Sequence, residues 1–206
     1  MKARYILFAA SALGLAGCSA NTGMNTAATT SAVPTLELAA TGETVPVGTV
    51  ARDAADDPAI WRNPDDPAKS LVIGTDKRAG LYVFGMDGSK KSFLPEGELN
   101  NVDLREVMID GRKTVLVGAS IRNDLNNAHI GLYRLDADSA ELNLLGKFPA
   151  GAGEAYGFCF GQDSGDEVFA YMITKAGNVR ELKLSFAMGV PNATIMREHK
   201  LTTQPE

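Results

Sequence analysis

Apolar and polar residues alternate in short runs along most of the chain beyond about residue 43, and helical periodicity is scarce. A period of two is typical of strands that bury one face. Turn-forming Gly, Asp and Asn residues separate the runs, as at positions 87–88, 110–111 and 176–177. We therefore predict an all-β fold of antiparallel strands, at residues 71–75, 81–86, 114–120, 129–135, 141–148, 156–161, 168–173 and 178–184.

Three predicted hairpins align on their second strands and form an internal repeat. Their sequences are LVIGTDKRAGLYVF, VLVGASIRNDLNNAHIGLYRL and FAYMITKAGNVRELKL. The aligned cations Lys77, Arg122 and Lys175 are separated by 45 and 53 positions. A loose period near fifty with several strands per unit favours the blades of a β-propeller. A β-sandwich with meandering hairpins is the alternative, although it need not repeat at this spacing.

A cation follows the first strand of each aligned hairpin: Lys77, Arg122 and Lys175. Equivalent loops of a propeller emerge on the same end around its axis, so these side chains are expected to converge. Converging cations would bind an anion. The competing interpretation is that these are ordinary exposed charges, which hairpin loops often carry.

The segment DAADDPAIW holds three carboxylates, Asp53, Asp56 and Asp57, ahead of a strand predicted to begin near Ala59. The NNVD run at residues 100–103 offers further oxygen atoms. Oxygen donors of this kind suit calcium. Capping and turn formation by Asp and Asn would explain the same residues without a metal.

The start of the chain resembles a bacterial lipoprotein export signal. Residues 1–17 hold two cations, an apolar stretch and small residues, and Cys18 then stands where a lipid would be attached. We expect residues 18–42 to form a flexible tether and residues 43–206 to form the domain. The protein is thus expected to be exported, and either anchored as a lipoprotein at the outer membrane or secreted. Cys159, in an apolar run, is expected to be a small buried residue.

The composition and the absence of certain motifs argue against several classes of function. The formal net charge of −5 argues against a nucleic-acid partner. The sequence contains no GxxxxGK[ST] phosphate loop, no HExxH and no CxxC pair. Cysteine-based and histidine-based phosphate chemistry is disfavoured.

Five collinear segments resemble the calcium-dependent β-propeller phytases. They are DAADDPAIW at 53–61, GTDKRAGLYVF at 74–84, ELNNVDLR at 98–105, GASIR at 118–122 and EAYGF at 154–158. The resemblance implies a six-bladed propeller that hydrolyses phosphates of myo-inositol hexakisphosphate, or phytate, presented as its calcium complex. It also implies direct attack by water and no covalent phosphoenzyme.

The resemblance assigns residues by matching positions. Substrate phosphate would be held by Lys77, Arg122, Tyr156 and Lys175. Calcium would be held by Asp56 and Asp57, and by the backbone carbonyls of Pro58 and Val102.

Departures from the family pattern limit what the resemblance implies. Ile121 stands where the family usually has Asn, and Ala176 where an acidic residue commonly follows the lysine. Only about the first three of six blades are expected in this chain, so we interpret it as the N-terminal part of a phytase whose activity here is in doubt. Two half propellers could also pair to close a ring.

Two other functions remain open at this point. The first is a lipid-tethered half propeller that captures phosphorylated ligands or a partner chain without turnover. The second is a propeller hydrolase acting on another substrate, such as a lactone. The cations at Lys77, Arg122 and Lys175 argue against the lactone hydrolase, which would not require them.

Overall fold

The computed structural model describes residues 37–50, 52–165 and 167–202. A compact unit begins at Ala40. The proposed lipid-attachment residue, Cys18, and the export signal before it lie outside the described residues. Among those residues, no helix is long and apolar enough to cross a membrane.

The described chain is all-β, with strands arranged in three four-stranded antiparallel sheets. The first sheet contains β1 (Ala55–Trp61), β2 (Leu71–Asp76), β3 (Gly80–Gly85) and β4 (Lys90–Pro95), with a 3-10 turn (Pro67–Lys69) between β1 and β2. The second contains β5 (Leu99–Ile109), β6 (Arg112–Ile121), β7 (Asn127–Asp136) and β8 (Glu141–Ala152). The third contains β9 (Ala155–Gln162), β10 (Val168–Thr174), β11 (Asn178–Ala187) and β12 (Val190–Lys200).

Each sheet is a meander in which strands pair in sequence order. Such repeated four-stranded meanders are what propeller blades look like. The predicted all-β class and its sequential hairpins are confirmed, and the three sheets are consistent with part of a propeller.

The strands that were not predicted are those with little apolar alternation. β4, with the sequence KKSFLP, is half exposed, and β12 is exposed along most of its length. β5 interrupts its pattern with the polar NNVD run. Strand β1 also begins earlier than predicted, at Ala55 rather than near Ala59, because the acidic residues enter the sheet at a bulge between Ala55 and Pro58. An edge strand with a bulge tolerates a proline.

The core lies in two layers, one on each side of the second sheet. The layer between the first and second sheets includes Ile73, Leu81, Val117 and Tyr133, all fully buried. The layer between the second and third sheets is centred on Leu132, Met172 and Leu182, packed against Phe158 and Phe160. The second sheet is thus buried on both faces.

A segment ahead of β1 runs across the first sheet. The Val45 amide donates to the Gly88 carbonyl at 2.9 Å, and the Gly48 amide to the Tyr82 hydroxyl at 2.8 Å. The Thr49 amide donates to the buried carboxylate of Asp76 at 3.2 Å. These bonds fix the chain that leads into the acidic segment.

The expectation for Cys159 is wrong. Its neighbours Phe158 and Phe160 are buried, but Cys159 itself is exposed. Side chains alternate across a strand, so one residue between two core positions of β9 must face the other way. The apolar run concealed this alternation in the sequence.

Candidate phosphate and metal site

The three cations occupy the same position in the three sheets. Each directly follows the second strand of its sheet, and its backbone amide donates to the carbonyl of the residue that precedes the first strand. The bonds run from Lys77 to Ala54 at 2.8 Å, from Arg122 to Glu98 at 2.9 Å and from Lys175 to Glu154 at 3.0 Å. The repeat therefore places all three residues at one end of the sheets.

Local chemistry shapes the turn that carries Lys77. The fully buried carboxylate of Asp76 accepts from the Arg78 amide at 3.0 Å and so closes the turn. Gly80 then has φ of +146°, and a Cβ there would lie 2.1 Å from the Leu94 carbonyl oxygen. Only glycine fits this position, so the DKRAG sequence is suited to returning the chain into β3.

Lys77 is held between two carboxylates. Its Nζ lies 2.8 Å from Asp53 Oδ1 and 3.1 Å from Asp56 Oδ1, and its side chain is only 11% exposed. The hydrogen bond to Asp53 raises the pKa of Lys77, and the same bond holds the pKa of Asp53 below its usual value. Lys77 is therefore a fixed positive charge in a nearly enclosed setting.

Glu154 forms ion pairs with both of the other two cations, Arg122 and Lys175. Its Oε1 lies 2.8 Å from Arg122 Nη2 and its Oε2 lies 3.5 Å from Lys175 Nζ. Arg122 and Glu154 are mostly buried, whereas the Lys175 side chain is 62% exposed. Arg122 and Lys175 thus lie side by side although 53 positions separate them in the sequence.

The Lys77 turn belongs to the same end. The pKa of Asp53 is lowered first by Lys77, and then, to a smaller extent, by the positive charges of Arg78 and Arg122. Lys77 pairs with Asp53 and Asp56, whereas Arg122 and Lys175 meet at Glu154. The convergence of all three cations on one ligand stays a prediction.

Tyr156 lies two residues beyond Glu154 in β9 and is 44% exposed. Its carbonyl accepts a 2.6 Å hydrogen bond from the hydroxyl of Ser120, which is fully buried. Ser120 in turn accepts from the Asn101 amide at 3.0 Å. The backbone of Tyr156 is thereby tied to the strand that ends just before Arg122.

The acidic segment lies at the same end, at the bulge of β1. Asp57 Oδ2 accepts from Asn101 Nδ2 at 3.0 Å and from the Val102 amide at 2.9 Å, which links the first and second sheets. Its own amide donates to Thr75 Oγ1 at 3.0 Å. The structure therefore brings Asp56, Asp57, Pro58 and Val102 into one neighbourhood.

The carboxylate and carbonyl oxygens assigned to calcium fit the ion in type. A metal would compete with Lys77 for Asp56 and with two N–H groups for Asp57 Oδ2. The fully buried side-chain oxygen of Asn100 has no hydrogen-bond partner in the described part of the chain, which leaves one acceptor available beside Asn101. Calcium needs roughly six to eight oxygens. Within the described ranges, no three His, Cys, Asp or Glu side chains cluster closely enough to hold a metal.

Glu154 was not singled out by the sequence patterns, although it begins the EAYGF segment. It occupies the position before the first strand of the third sheet, as Glu98 does for the second sheet. Glu98 also pairs with a cation of the preceding sheet, Arg78, at 3.2 Å. Extending the repeat alignment to the residue before each first strand would have found both.

Comparison with known proteins identifies the family. The family model described as Phytase matches residues 4–206. The chain belongs to the phytase family. Among curated proteins, a 3-phytase of Bacillus subtilis (strain 168) is 34% identical over 171 residues.

That alignment covers 80% of this chain but 44% of the Bacillus protein. The chain thus spans less than half the length of this phytase relative. The resemblance that the sequence segments indicated is confirmed at the level of the family.

Proposed function

We propose that this chain provides the phosphate-binding cations of a calcium-assisted phosphomonoesterase that releases phosphate from myo-inositol hexakisphosphate. The observation that carries the proposal is the placement of Lys77, Arg122 and Lys175 at one repeated position and one end of three sheets. Phosphate monoesters are highly charged, so a site of fixed cations suits them. Family membership and the similarity to a 3-phytase point to the same substrate.

Each side chain has a distinct role in this proposal. Lys77 is a fixed charge on a nearly buried stem, and Arg122 offers planar N–H donors that match two phosphate oxygens. Lys175 is the most exposed cation of the set and can follow the ligand. The hydroxyl of Tyr156 would donate to a phosphate oxygen.

Calcium would be held by the carboxylates of Asp56 and Asp57 and by the carbonyls of Pro58 and Val102. When bound, calcium would neutralise negative charge on the phosphate oxygens and lower the pKa of a coordinated water. The protein side chains then need only bind and orient the ester while water attacks directly. Ala176, which replaces an acidic residue of the family pattern, removes one group that could orient that water.

A second candidate function is binding of a phosphorylated ligand without turnover. One observation favours it: the cations are assembled within the described residues, whereas those residues contain no cluster of three acidic, His or Cys side chains for a metal. Pairing of two chains to complete the ring is compatible with either candidate.

We also propose that the protein is exported and that Cys18 carries a lipid, which would tether the domain to a membrane. Mass spectrometry of the mature protein from a bacterial host would test this directly. A lipid-modified N-terminal Cys18 is expected, and a chain that retains residues 1–17 would contradict the proposal.

The proposed activity is tested by phosphate release from calcium phytate, with and without a calcium chelator. The full chain is expected to release phosphate only with calcium, and Arg122→Ala is expected to lower the rate at least about tenfold. Glu141→Gln, an exposed change at the other end of the second sheet, is the control. Release that survives chelation contradicts the calcium role, and phytate binding without release favours the second candidate.

A further inference from the structure

Every cation of the proposed phosphate site is paired with a carboxylate. Lys77 contacts Asp53 and Asp56, and both Arg122 and Lys175 contact Glu154. Three positive charges therefore face three negative ones. An arriving phosphate meets cations that already have counter-ions, so it must share or displace these carboxylates.

Of the carboxylates that the structure describes, Glu154 has the largest influence, because it alone among them contacts two of the cations. It reaches Arg122 from the next sheet, across the seam between the second and third sheets. Its side chain is 17% exposed, so water screens its charge less than that of an exposed carboxylate. Among the residues that the structure describes, Glu154 is the one carboxylate paired with Arg122 or Lys175, so removing its charge would leave both cations without a counter-ion there.

The contact between Glu154 and Arg122 is held by charge more than by directed hydrogen bonds. Glu154 Oε1 is buried and makes no hydrogen bond of good geometry, although Arg122 Nη2 lies 2.8 Å away. Arg122 Nε is also buried, and no hydrogen-bond partner for it lies among the described residues. The guanidinium therefore has donor capacity that Glu154 does not satisfy and that phosphate oxygens could take.

From these contacts we propose that Glu154 is an affinity-determining residue, an internal counter-anion that lowers the affinity of the site for phosphate and favours its release. This inference rests on the proposed phosphate site. The carboxylate repels every anion in proportion to the anion's charge, so it would weaken binding of the ester and of the released phosphate alike. Glu154 would thereby limit retention of free phosphate at the site.

The test measures binding of inorganic phosphate to the full chain in the absence of metal. Broadening of the 31P NMR line of phosphate reports the binding. Glu154→Gln keeps the shape of the side chain and removes its charge, and it is expected to tighten phosphate binding roughly three- to tenfold. Glu141→Gln removes one charge at the far end of the second sheet and is expected to change nothing. Adding Arg122→Ala to Glu154→Gln should abolish the gain.

A second variant guards against loss of folding at a buried position. Asp53→Asn removes one of the two counter-ions of Lys77, at a residue whose side chain is 73% exposed. The φ of Asp53 is +63°, a conformation that Asn adopts readily. This variant too should tighten phosphate binding, by a smaller factor because water screens the exposed carboxylate.

The outcomes separate the two proposals. Unchanged or weaker phosphate binding by folded Glu154→Gln would overturn the counter-anion role. If Glu154→Gln does not fold, the absence of any gain in phosphate affinity in Asp53→Asn would overturn it instead. If Arg122→Ala still weakened binding, the phosphate site itself would stand. If neither Arg122→Ala nor Glu154→Gln altered phosphate binding, both proposals would fail.

Discussion

Ser120 shows how one small side chain can hold the candidate site together. It is fully buried, donates to the Tyr156 carbonyl in the third sheet and accepts from the Asn101 amide in β5. Asn101 in turn donates to Asp57 in the first sheet. A chain of hydrogen bonds therefore runs from the acidic bulge to the strand that carries Tyr156.

Replacing Ser120 with Ala should destabilise the fold. The change removes the hydroxyl that pairs with the Asn101 amide and the Tyr156 carbonyl, and the loss of these part-buried bonds costs about 1 kcal/mol. Urea unfolding of the full chain measures this loss. Ser185→Ala, at an exposed position of β11, is the control and should cost little; equal stability of the two variants would show that the Ser120 bonds are not needed.

Glu106 and Trp61 form a pH-sensitive contact between the first two sheets. Trp61 Nε1 donates to Glu106 Oε1 at 3.2 Å, and Lys113 lies beside the other carboxylate oxygen. The bond from Lys113, with a smaller contribution from Trp61, lowers the pKa of Glu106 from its usual 4.5. The pairing therefore contributes its full stabilisation above that pH and loses it as pH falls through the lower, folded-state pKa.

Trp61 is the single tryptophan of the chain, so its fluorescence reports on this contact. We expect its emission to change as pH falls below 4.5, because protonated Glu106 no longer holds Lys113 and binds the indole more weakly. Glu106→Gln should remove this transition, and Glu141→Gln should retain it. A transition that persists in Glu106→Gln would assign it to another group.

At the scale of elements, the seam between the second and third sheets depends on a glycine in β6. A Cβ on Gly118 would lie 2.4 Å from Phe158 Cζ and 2.5 Å from Phe160 Cζ. These two rings contact each other edge to face and are buried, so they have little room to move. The close approach of β6 to β9 also sets the spacing between Arg122 and Glu154.

Gly118→Ala should therefore destabilise the chain by about 1–3 kcal/mol through overpacking. It should also loosen the site, because the sheets that carry Arg122 and Glu154 must separate. Thermal unfolding and phosphate binding measure the two effects. Gly42→Ala, where nothing lies within 4 Å of an added Cβ, is the control; a Gly118 variant as stable as this control would contradict the close packing.

The sequence predicted those elements whose alternation is regular, such as the β2–β3, β6–β7 and β10–β11 hairpins. It also predicted that one cation follows the second strand of each sheet, because the hairpins repeat. It could not predict that Glu154 pairs with Arg122, since that contact depends on how adjacent sheets pack. Cys159 was misjudged for a related reason: the period-two alternation was hidden by apolar residues on both faces of β9.

At the scale of the whole molecule, the second sheet is covered on both faces, whereas the first and third sheets each have one neighbour among the described residues. The chain spans 44% of the Bacillus 3-phytase it matches. The cations nevertheless occupy the same position, directly after the second strand, in all three sheets. Binding of the charged ester can therefore be examined separately from its hydrolysis.

The most direct measurement is calorimetric titration of the full chain with myo-inositol hexakisphosphate in the absence of metal. The triple variant Lys77→Ala, Arg122→Ala, Lys175→Ala should lose most of the affinity of the parent chain. A charge-matched triple variant at the opposite end, Lys69→Ala, Lys90→Ala, Lys91→Ala, should keep it. Equal losses in the two variants would mean that phytate is attracted by charge alone, and would contradict a phosphate site at the end where the three repeats converge.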